Sequence, residues 1–378
     1  MKKKLIRLTT IPLSLDKLLE GQLSFMNNFY NVIAVSSDKE YLKKIGDREN
    51  VEVFPVEMTR KITPIKDLIA VYKLFTYFRK EKPFIVHTHT PKAGTVGMIA
   101  AKLAGVPNRL HTIAGLPLLE ANGFKRKILN IVEKITYSCA TKVYPNSKVL
   151  KEIIIKEKFC NANKLKVIAN GSSNGINTNY FNTEHFTEEE KNKLKKELNI
   201  LPTDFVFIFV GRLVKDKGIN ELISAFKSLQ EKTPNIKLLL VGSFESELDP
   251  LETNTVNEIE INKDIISVGY KKDVRLYFAI SNALVFPNVV MQAGAMELPC
   301  IVTNINGCNE IITKNKNGII IQVKDQEAIY KAMNTLLQDK KLFNSLKCNA
   351  REMIVSRYEQ KVVWNAILEE YKLLEQNV

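Results

Sequence analysis

Two basic side chains, Arg212 and Lys217, stand in a loop framed by Gly211 and Gly218. An apolar run precedes this loop and an amphipathic run follows it, which predicts a strand, a loop and a helix in succession. Such a loop directs backbone N–H groups and the positive end of the helix dipole toward one point. Arginine binds two phosphate oxygens at once and lysine supplies a compact charge, so we expect a diphosphate site here. The alternative is a solvated loop whose cations face water.

A second group of polar residues follows a predicted strand that ends at His87. His87 and His89 alternate along the strand end and would share one face, as a pair of metal ligands would. No cysteine or carboxylate stands beside them, so we expect no metal site. The turn that follows leads into a helix and carries Lys92 and Gly94, which makes it a second candidate anion site.

These two segments and three others together resemble the retaining glycosyltransferases of the family 4 type, which include sucrose synthases and many bacterial capsule, exopolysaccharide and lipopolysaccharide enzymes. The segments are more specific together than any one of them, and they comprise residues 87–94, 110–117, 170–176, 211–218 and 294–299. The resemblance covers nearly the whole chain. It implies the GT-B fold, an α/β architecture of two doubly wound Rossmann-like domains that face each other across a cleft.

The resemblance also implies three catalytic residues. In the family, the Arg and Lys of the basic loop bind the diphosphate of the nucleotide-sugar donor, which assigns that role to Arg212 and Lys217. A histidine at the position of His111 hydrogen-bonds a hydroxyl of the donor sugar. A lone histidine at the end of a strand is otherwise more often a structural residue.

Further contacts follow from the same resemblance. The backbone at Gly211 and Gly269 is implied to contact the donor, and Tyr270 is placed to stack on the nucleotide base. A surface turn is the alternative at Tyr270. The region of Lys92 and Gly94 corresponds to the acceptor side.

The junction between Pro287 and Asn288 departs from the family pattern. The family has a loop containing Glu-Gly-Phe between the proline and the next helix, and a second Glu farther on. Here that loop and its Glu have no counterpart, and Gln292 stands in place of the second Glu. The resemblance implies that Asn288, Val289 and Val290 hold the distal phosphate and sugar, and that Gln292 hydrogen-bonds the ribose. Either the chain is catalytically impaired or this sequence omits residues of the natural protein, and a junction this short favours omission.

The length of 378 residues is appropriate for two domains. Apolar runs alternate with helical patterns in both halves, including expected strands at residues 142–144 and 166–169. We expect an acceptor-side domain over residues 1–175 and a nucleotide-sugar domain over 176–357. A C-terminal helix at about 358–378 is expected to pack back on the first domain.

Charge is unevenly distributed along the chain. Residues 1–175 hold 30 Lys and Arg against 14 Asp and Glu, a net charge of +16, whereas residues 176–378 have a net charge of −2. No nucleic-acid-binding motif is present, so we expect the first domain to meet an anionic membrane surface rather than nucleic acid. The best contact is the basic end, Lys125 to Lys127, of a helix predicted over 123–143. Its apolar stripe is interpreted as core-facing: Ile128, Leu129, Ile131, Val132 and Ile135.

Five scattered cysteines without a C-x-x-C spacing indicate reduced thiols in a cytoplasmic protein.

We expect a peripheral enzyme at the inner face of the bacterial membrane. It would move a sugar, with retention, from a nucleoside diphosphate to a lipid-linked saccharide in surface polysaccharide synthesis. No cofactor is expected, because Arg212 and Lys217 would take the place of a metal. Two alternatives remain: a nucleotide-sugar epimerase of the same fold, and an impaired paralogue that binds the donor without transfer.

Overall fold

The computed structural model describes residues 2–245, 249–286, 289–305 and 307–376. The chain forms two compact units. Unit 1 comprises residues 1–175 and 360–378, and unit 2 comprises residues 176–359. Each unit contains a six-stranded sheet in which every strand pair is parallel. This confirms the expected fold class of two doubly wound α/β domains.

The sheet of unit 1 lies between two layers of helices. Its strands are β1 (Lys4–Leu8), β2 (Asn31–Ser36), β3 (Glu52–Pro55), β4 (Ile85–Thr88), β5 (Asn108–Ile113) and β6 (Lys142–Pro145). Their order is β3-β2-β1-β4-β5-β6. Alternate side chains point to opposite faces, so Leu5 packs against one helical layer and Ile6 against the other.

The helices of unit 1 divide between the two faces of the sheet. One face is covered by α4 (Pro64–Glu81), α5 (Pro91–Leu103), α6 (Gly123–Cys139) and α7 (Lys148–Lys156). The other is covered by α1 (Pro12–Leu18), α2 (Gln22–Asn27), α3 (Lys39–Glu49) and the C-terminal α16 (Gln360–Gln376). The last helix of the chain is therefore part of the core of unit 1.

Unit 2 repeats the arrangement with the strand order β12-β11-β10-β7-β8-β9. Its strands are β7 (Phe205–Val210), β8 (Ile236–Val241), β9 (Ile265–Ser267), β10 (Ala283–Val285), β11 (Cys300–Thr303) and β12 (Gly318–Ile321). Its helices are α8 (Glu188–Glu197), α9 (Ile219–Gln230), α10 (Thr253–Ile261), α11 (Arg275–Ala279), α12 (Val290–Ala295), α13 (Cys308–Ile311), α14 (Gln326–Gln338) and α15 (Lys340–Tyr358). The carboxyl ends of β7, β8 and β9 lie side by side, where open α/β sheets bind ligands.

The expected strand over residues 166–169 is wrong. In the structure this segment forms no strand, and only Leu165, just before it, makes a single bridge to Val143 of β6. The sheet ends at β6, so the apolar residues of this segment serve packing instead: Ile168 is buried beside α16. Strand β3 was not predicted, and its mostly half-buried residues carry a weak sequence signal.

The interpretation of the apolar stripe of α6 as core-facing is wrong for two of its five residues. Ile131 and Ile135 are exposed, and the fully buried side of the helix is formed by Thr136, Tyr137 and Cys139. The remaining stripe residues are half-buried: Ile128, Leu129 and Val132. The stripe thus divides between the core, which Leu129 contacts, and solvent, which Ile131 and Ile135 face.

Fewer basic side chains are free at the start of α6 than the sequence indicates. The guanidinium of Arg126 donates to Glu157 Oε1 at 3.1 Å and to Asn130 Oδ1 at 3.1 Å. Only Lys125 and Lys127 extend into solvent there. No helix in the described part of the chain combines the length and the apolar character that crossing a bilayer requires.

Candidate functional site

The basic loop between β7 and α9 begins at Gly211 and contains a short 3₁₀ turn, Lys215–Lys217, that the sequence did not predict. Gly218 ends that turn with a φ of +74°, a conformation that favours glycine, and α9 follows at once. The loop therefore holds Lys217 on a hydrogen-bonded turn, whereas Arg212 directly follows β7.

The backbone N–H groups of this loop are already hydrogen-bonded within unit 2. Leu213 N–H donates to the carbonyl of Ser243 at 2.9 Å, and Asp216 N–H donates to Asp249 Oδ2 at 2.6 Å. Gly218 N–H donates to the Lys215 carbonyl at 2.9 Å. Most amides of the loop are thus committed to the fold of unit 2, so less of the predicted cradle is open; the first amides of α9 receive no side-chain cap from Gly218.

The two cationic side chains reach solvent, each beside a carboxylate. Arg212 is more than half exposed and forms an ion pair with Glu245. Lys217 Nζ lies 3.1 Å from Asp216 Oδ2. Exposed pairs of this kind contribute little to stability, so a diphosphate with more charge can displace them. Sequence reasoning missed Glu245, which lies after β8, far from the loop in sequence.

Three glycines form a row at the carboxyl ends of β7, β8 and β9. Gly211 N–H donates to the Val241 carbonyl at 2.9 Å, and Gly242 N–H donates to the Gly269 carbonyl at 2.9 Å. A Cβ on Gly242, whose φ is +156°, would lie 1.7 Å from the carbonyl oxygen of Gly211. Only glycine fits at position 242, because the backbone of Gly211 fills the space, whereas a Cβ on Gly269 would meet nothing within 4 Å, so a ligand can approach the backbone there.

Gly242 was not predicted as a site residue, although its position directly after the apolar run of β8 is a sequence signal that could have identified it. The row is bounded by Arg212 on the side of β7 and by Tyr270 after β9. Tyr270 is 75% exposed, so its ring is available for stacking.

The junction before α12 contains an unusual backbone conformation. Phe286 has a φ of +80°, although it is a buried aromatic residue, and such a conformation is strained for a bulky side chain. Its ring lies under the basic loop, because a Cβ on Gly218 would be 3.3 Å from Phe286 Cζ. Pro287 and the predicted donor contact Asn288 lie outside the described residues.

The other predicted donor contacts of this segment differ in their surroundings. Val289 directly precedes α12, and the side chain of Val290 is buried in the core of unit 2, which leaves only its backbone for ligand contact. Gln292 Oε1 is buried and accepts no hydrogen bond from any described residue. Buried acceptors are normally paired, so a ligand hydroxyl would satisfy this atom.

His111 lies in β5 of unit 1 and is almost fully buried. Its Nδ1 is 2.7 Å from Thr88 Oγ1, and burial lowers the pKa of the imidazole to about 4. The ring is therefore neutral near pH 7. Gly94 of α5 provides space for it, since a Cβ there would lie 2.4 Å from His111 Cε1.

Besides Gly94, Lys92 was assigned to the acceptor side, and its side chain is paired with a carboxylate. Its ammonium forms an ion pair with Asp67 of α4, and its side chain is largely buried. The amide of Gly94 donates to the Thr90 carbonyl at 2.7 Å inside the first turn of α5. The amide expected for an anion site at this turn is thus committed to the helix.

His87 and His89 belong to a buried polar network. Arg7 is fully buried and donates from Nε to His89 Nε2 at 3.0 Å and from Nη1 to the Tyr371 hydroxyl at 3.0 Å. His87 bonds the same hydroxyl at 2.5 Å through Nδ1 and Thr112 Oγ1 at 2.7 Å through Nε2. Burial holds the pKa values of both histidines well below the usual range, so both act as neutral partners in the interior of unit 1.

Both halves of the chain match models of known protein families. Residues 190–353 match the model described as Glycosyl transferases group 1. Residues 31–171 match the model described as Glycosyl transferase 4-like domain. Each match lies mainly within one of the two units.

Two relatives and one solved structure show the extent of the similarity. The chain is 35% identical over 379 residues to the capsular polysaccharide biosynthesis glycosyltransferase CapM of Staphylococcus aureus, covering 97% of this chain and 96% of the relative. It is 31% identical over 320 residues to the UDP-Gal:alpha-D-GlcNAc-diphosphoundecaprenol alpha-1,3-galactosyltransferase of Escherichia coli, covering 81% and 79%. The crystal structure of Anabaena Alr3699/HepE in complex with UDP matches with a TM-score of 0.79 and 17% identity, covering 98% of this chain and 100% of the other.

Proposed function

Because the chain belongs to the group 1 glycosyl transferases, we propose that it transfers a sugar from a nucleoside diphosphate to a lipid-linked saccharide with retention of anomeric configuration. The observation that carries this proposal is the row of glycines at the carboxyl ends of β7, β8 and β9, bounded by exposed Arg212 and exposed Tyr270. A bare backbone surface between a cation and an aromatic ring fits a nucleoside diphosphate. The base lies toward Tyr270 and the diphosphate toward the basic loop.

The proposed chemistry is stabilisation of a leaving group. As the glycosidic bond breaks, negative charge develops on the diphosphate, and preorganised cations stabilise that charge. Arg212 and Lys217 supply two such cations in the place that a metal ion would take. Each charge-assisted hydrogen bond contributes roughly 1.5–3 kcal/mol. Transfer is accordingly expected to continue in the presence of a metal chelator.

Two further residues carry properties that suit contact with a nucleotide sugar, one in each unit. Gln292 Oε1, buried without a partner among the described residues, accepts a hydrogen bond from a ribose hydroxyl. His111 of unit 1 is neutral near pH 7 because burial lowers its pKa, so its imidazole can donate or accept a hydrogen bond with a sugar hydroxyl without adding charge.

The proposed acceptor follows from the relatives. The E. coli relative is named for a diphosphoundecaprenol-linked acceptor, and the S. aureus relative is named for capsular polysaccharide biosynthesis. We infer a bacterial capsule or related surface polysaccharide as the product of the pathway. A lipid-linked acceptor is confined to a bilayer, so the enzyme works at the membrane surface.

The test is calorimetric binding of UDP to Arg212→Ala. We expect a loss of about 1.5–3 kcal/mol, since a charge-assisted contact to the diphosphate is removed. Lys215→Ala is the matched control, because Lys215 is exposed on the same loop. Equal affinities of wild type and Arg212→Ala, with both folded, would place the diphosphate elsewhere.

One observation favours a second candidate function. The family's loop Glu is missing and Phe286 is strained at the short junction, an arrangement that suits a protein that binds the donor without transferring the sugar. Product analysis with a lipid-linked acceptor separates the candidates: donor binding without product supports the impaired paralogue. Conversion of the donor sugar in the absence of acceptor would instead identify an epimerase.

A further inference from the structure

Helix α4 carries apolar side chains on both of its sides. Ala70, Leu74 and Phe78 lie on one side and are buried in the core of unit 1. The opposite side should be polar in a helix at the surface of a water-soluble domain. Its first half instead presents four apolar residues that are between 51% and 77% exposed, namely Ile65, Leu68, Ile69 and Tyr72. Their spacing of i, i+3, i+4 and i+7 places them in one continuous stripe.

Helix α6 shows the same feature. Its buried side is formed by Thr136, Tyr137 and Cys139, whereas Phe124, at 78% exposure, marks an outward apolar stripe. The other exposed members of this stripe are Ile131 and Ile135. Exposed apolar residues scattered singly are ordinary, but two helical stripes are not.

The two stripes lie on the same outer surface of unit 1. α4 packs against α5, and α5 packs against α6, so all three helices form one layer over the sheet. A hydrogen bond of 3.1 Å between the hydroxyls of Thr136 and Thr95 joins α6 to α5. Neighbouring helix axes lie about 8–10 Å apart, so the two stripes are separated by roughly 20 Å. We call the seven exposed residues the outer apolar face: Ile65, Leu68, Ile69, Tyr72, Phe124, Ile131 and Ile135.

Lysines surround this face. Lys66 and Lys73 flank the stripe of α4, and the exposed lysines of α6 are Lys125, Lys127 and Lys134. None of these five forms an ion pair with a carboxylate within the residues that the structure describes. The nearest acidic residue of α4, Asp67, is already paired with Lys92.

The combination of apolar stripes and flanking lysines distinguishes between possible partners. A second copy of this face would bring its unpaired lysines against like charges, because a two-fold interface is self-complementary. A membrane surface accepts both kinds of side chain: the apolar groups enter the boundary of the acyl chains, and each lysine near anionic headgroups contributes favourably. Charge complementarity thus favours a lipid surface over a second copy of the chain or another protein.

We propose that the outer apolar face inserts into the anionic leaflet of a bilayer, with the five flanking lysines at the headgroups. The choice of a bilayer as partner rests on the proposed function, since a lipid-linked acceptor must be met at such a surface. The proposal moves the main contact from the basic end of α6, which the sequence indicated, to the apolar stripes of α4 and α6.

The test is co-sedimentation with vesicles of phosphatidylglycerol and phosphatidylethanolamine. The triple variant Ile65→Ser, Leu68→Ser, Tyr72→Ser should bind at least about tenfold more weakly than wild type, which corresponds to a loss of only about 1.4 kcal/mol. Ile261→Ser is the matched control, because Ile261 is equally exposed on α10 of unit 2, and it should bind as wild type does. Thermal unfolding of each variant verifies that it is folded.

A charge variant tests the second part of the proposal. Lys66→Gln with Lys73→Gln should weaken binding to the anionic vesicles at low salt and reduce its salt dependence, with no effect on vesicles of phosphatidylcholine. Wild-type vesicle binding by the folded triple serine variant would overturn the proposal. A change in the sedimentation coefficient of that variant in the absence of lipid would also overturn it and identify a protein interface.

Failure of this proposal is distinguishable from failure of the proposed function. UDP affinity of the triple serine variant, measured by calorimetry without lipid, should equal that of wild type, because α4 is outside unit 2. If only the triple serine variant loses vesicle binding and the wild type shows no transfer activity, the membrane surface is retained and the enzyme function is rejected. If the wild type transfers sugar and the triple serine variant binds vesicles as the wild type does, the enzyme function is retained and the membrane surface is rejected.

Discussion

At the scale of single residues, Glu245 is the side chain that most changes the description of the candidate donor site. It neutralises Arg212 in the ligand-free protein, and both groups are partly exposed. A nucleoside diphosphate must displace this carboxylate before the guanidinium can bind its oxygens. The ion pair therefore opposes donor binding by a small amount, because exposed pairs contribute about 0.2–1 kcal/mol.

Glu245→Gln should raise the affinity for UDP by that amount, about 0.2–1 kcal/mol, since the competing charge is removed. Calorimetry at low ionic strength measures the effect, and added salt should diminish the difference. Glu260→Gln, an exposed residue of α10, is the control for the loss of one negative charge. Weaker binding by Glu245→Gln would mean that the carboxylate positions Arg212 for the ligand instead of competing with it.

The sequence identified the cations of this site but not their partners. Arg212 and Lys217 were found because glycines and apolar runs frame a short contiguous segment. Glu245 and Asp249 come from a different loop, and only the pairing of β7 with β8 brings the two loops together. Gln292 was assigned by its place in a family pattern, whereas the burial of its Oε1 is a property of the packed helix.

At the scale of elements, predictions succeeded where a pattern is local. The charge pattern of residues 188–196 is typical of a solvated helix, and α8 begins there with a capping box between Thr187 and Glu190. Residues 166–169 were expected to be a strand because an apolar run alone does not show whether a neighbouring strand is available. The outward stripe of α6 was misjudged for a similar reason: periodicity reveals a stripe but not which side meets the core.

The junction between β10 and α12 is the element most affected by the absence of the family's Glu-Gly-Phe loop. Insertion of a loop containing Glu-Gly-Phe after Pro287 should relax the backbone of Phe286, whose φ of +80° is a strained conformation, and so stabilise unit 2 by about 1–3 kcal/mol. It should also raise the transfer rate on the order of a hundredfold, because a reacting group misplaced by about 1 Å costs about that much.

Steady-state transfer assays and denaturant unfolding of both proteins measure these effects. The same loop with Gln in place of Glu is the matched control, since it relaxes the backbone without supplying the carboxylate. If the original chain already transfers at the rate of the extended one, the missing Glu is not required here.

At the scale of the whole molecule, the two units differ in charge and in the candidate binding surfaces that they contain. The excess of basic residues belongs to the first half of the chain, where the lysines around the outer apolar face lie. The candidate diphosphate site belongs to unit 2, whose half of the sequence is close to neutral. The charge count alone therefore indicates the half that carries the proposed lipid-binding face, but not the helices involved.

The C-terminal helix α16 adds a connection across the sequence that no local pattern shows. Its Tyr371 hydroxyl lies at the centre of the buried network of unit 1, between Arg7 and His87. Burial raises the pKa of Tyr371 to about 12, so the phenol stays neutral and can accept from the guanidinium while bonding the imidazole. The fully buried cation thus depends on neutral partners from three distant segments, namely Gln22, His89 and Tyr371.

Tyr371→Phe should destabilise unit 1 by about 1–3 kcal/mol, because it leaves a buried donor of Arg7 and a ring nitrogen of His87 without their shared partner. Hydrogen exchange resolved by peptide is the measurement: protection should fall in β1 and β4, which carry these residues, and remain unchanged in β7 and β8 of unit 2. Tyr72→Phe, at an exposed tyrosine of the same unit, is the control. Unchanged protection in β1 would show that the network tolerates loss of the hydroxyl, for example through a water molecule, and that the other contacts of α16 are sufficient to hold it.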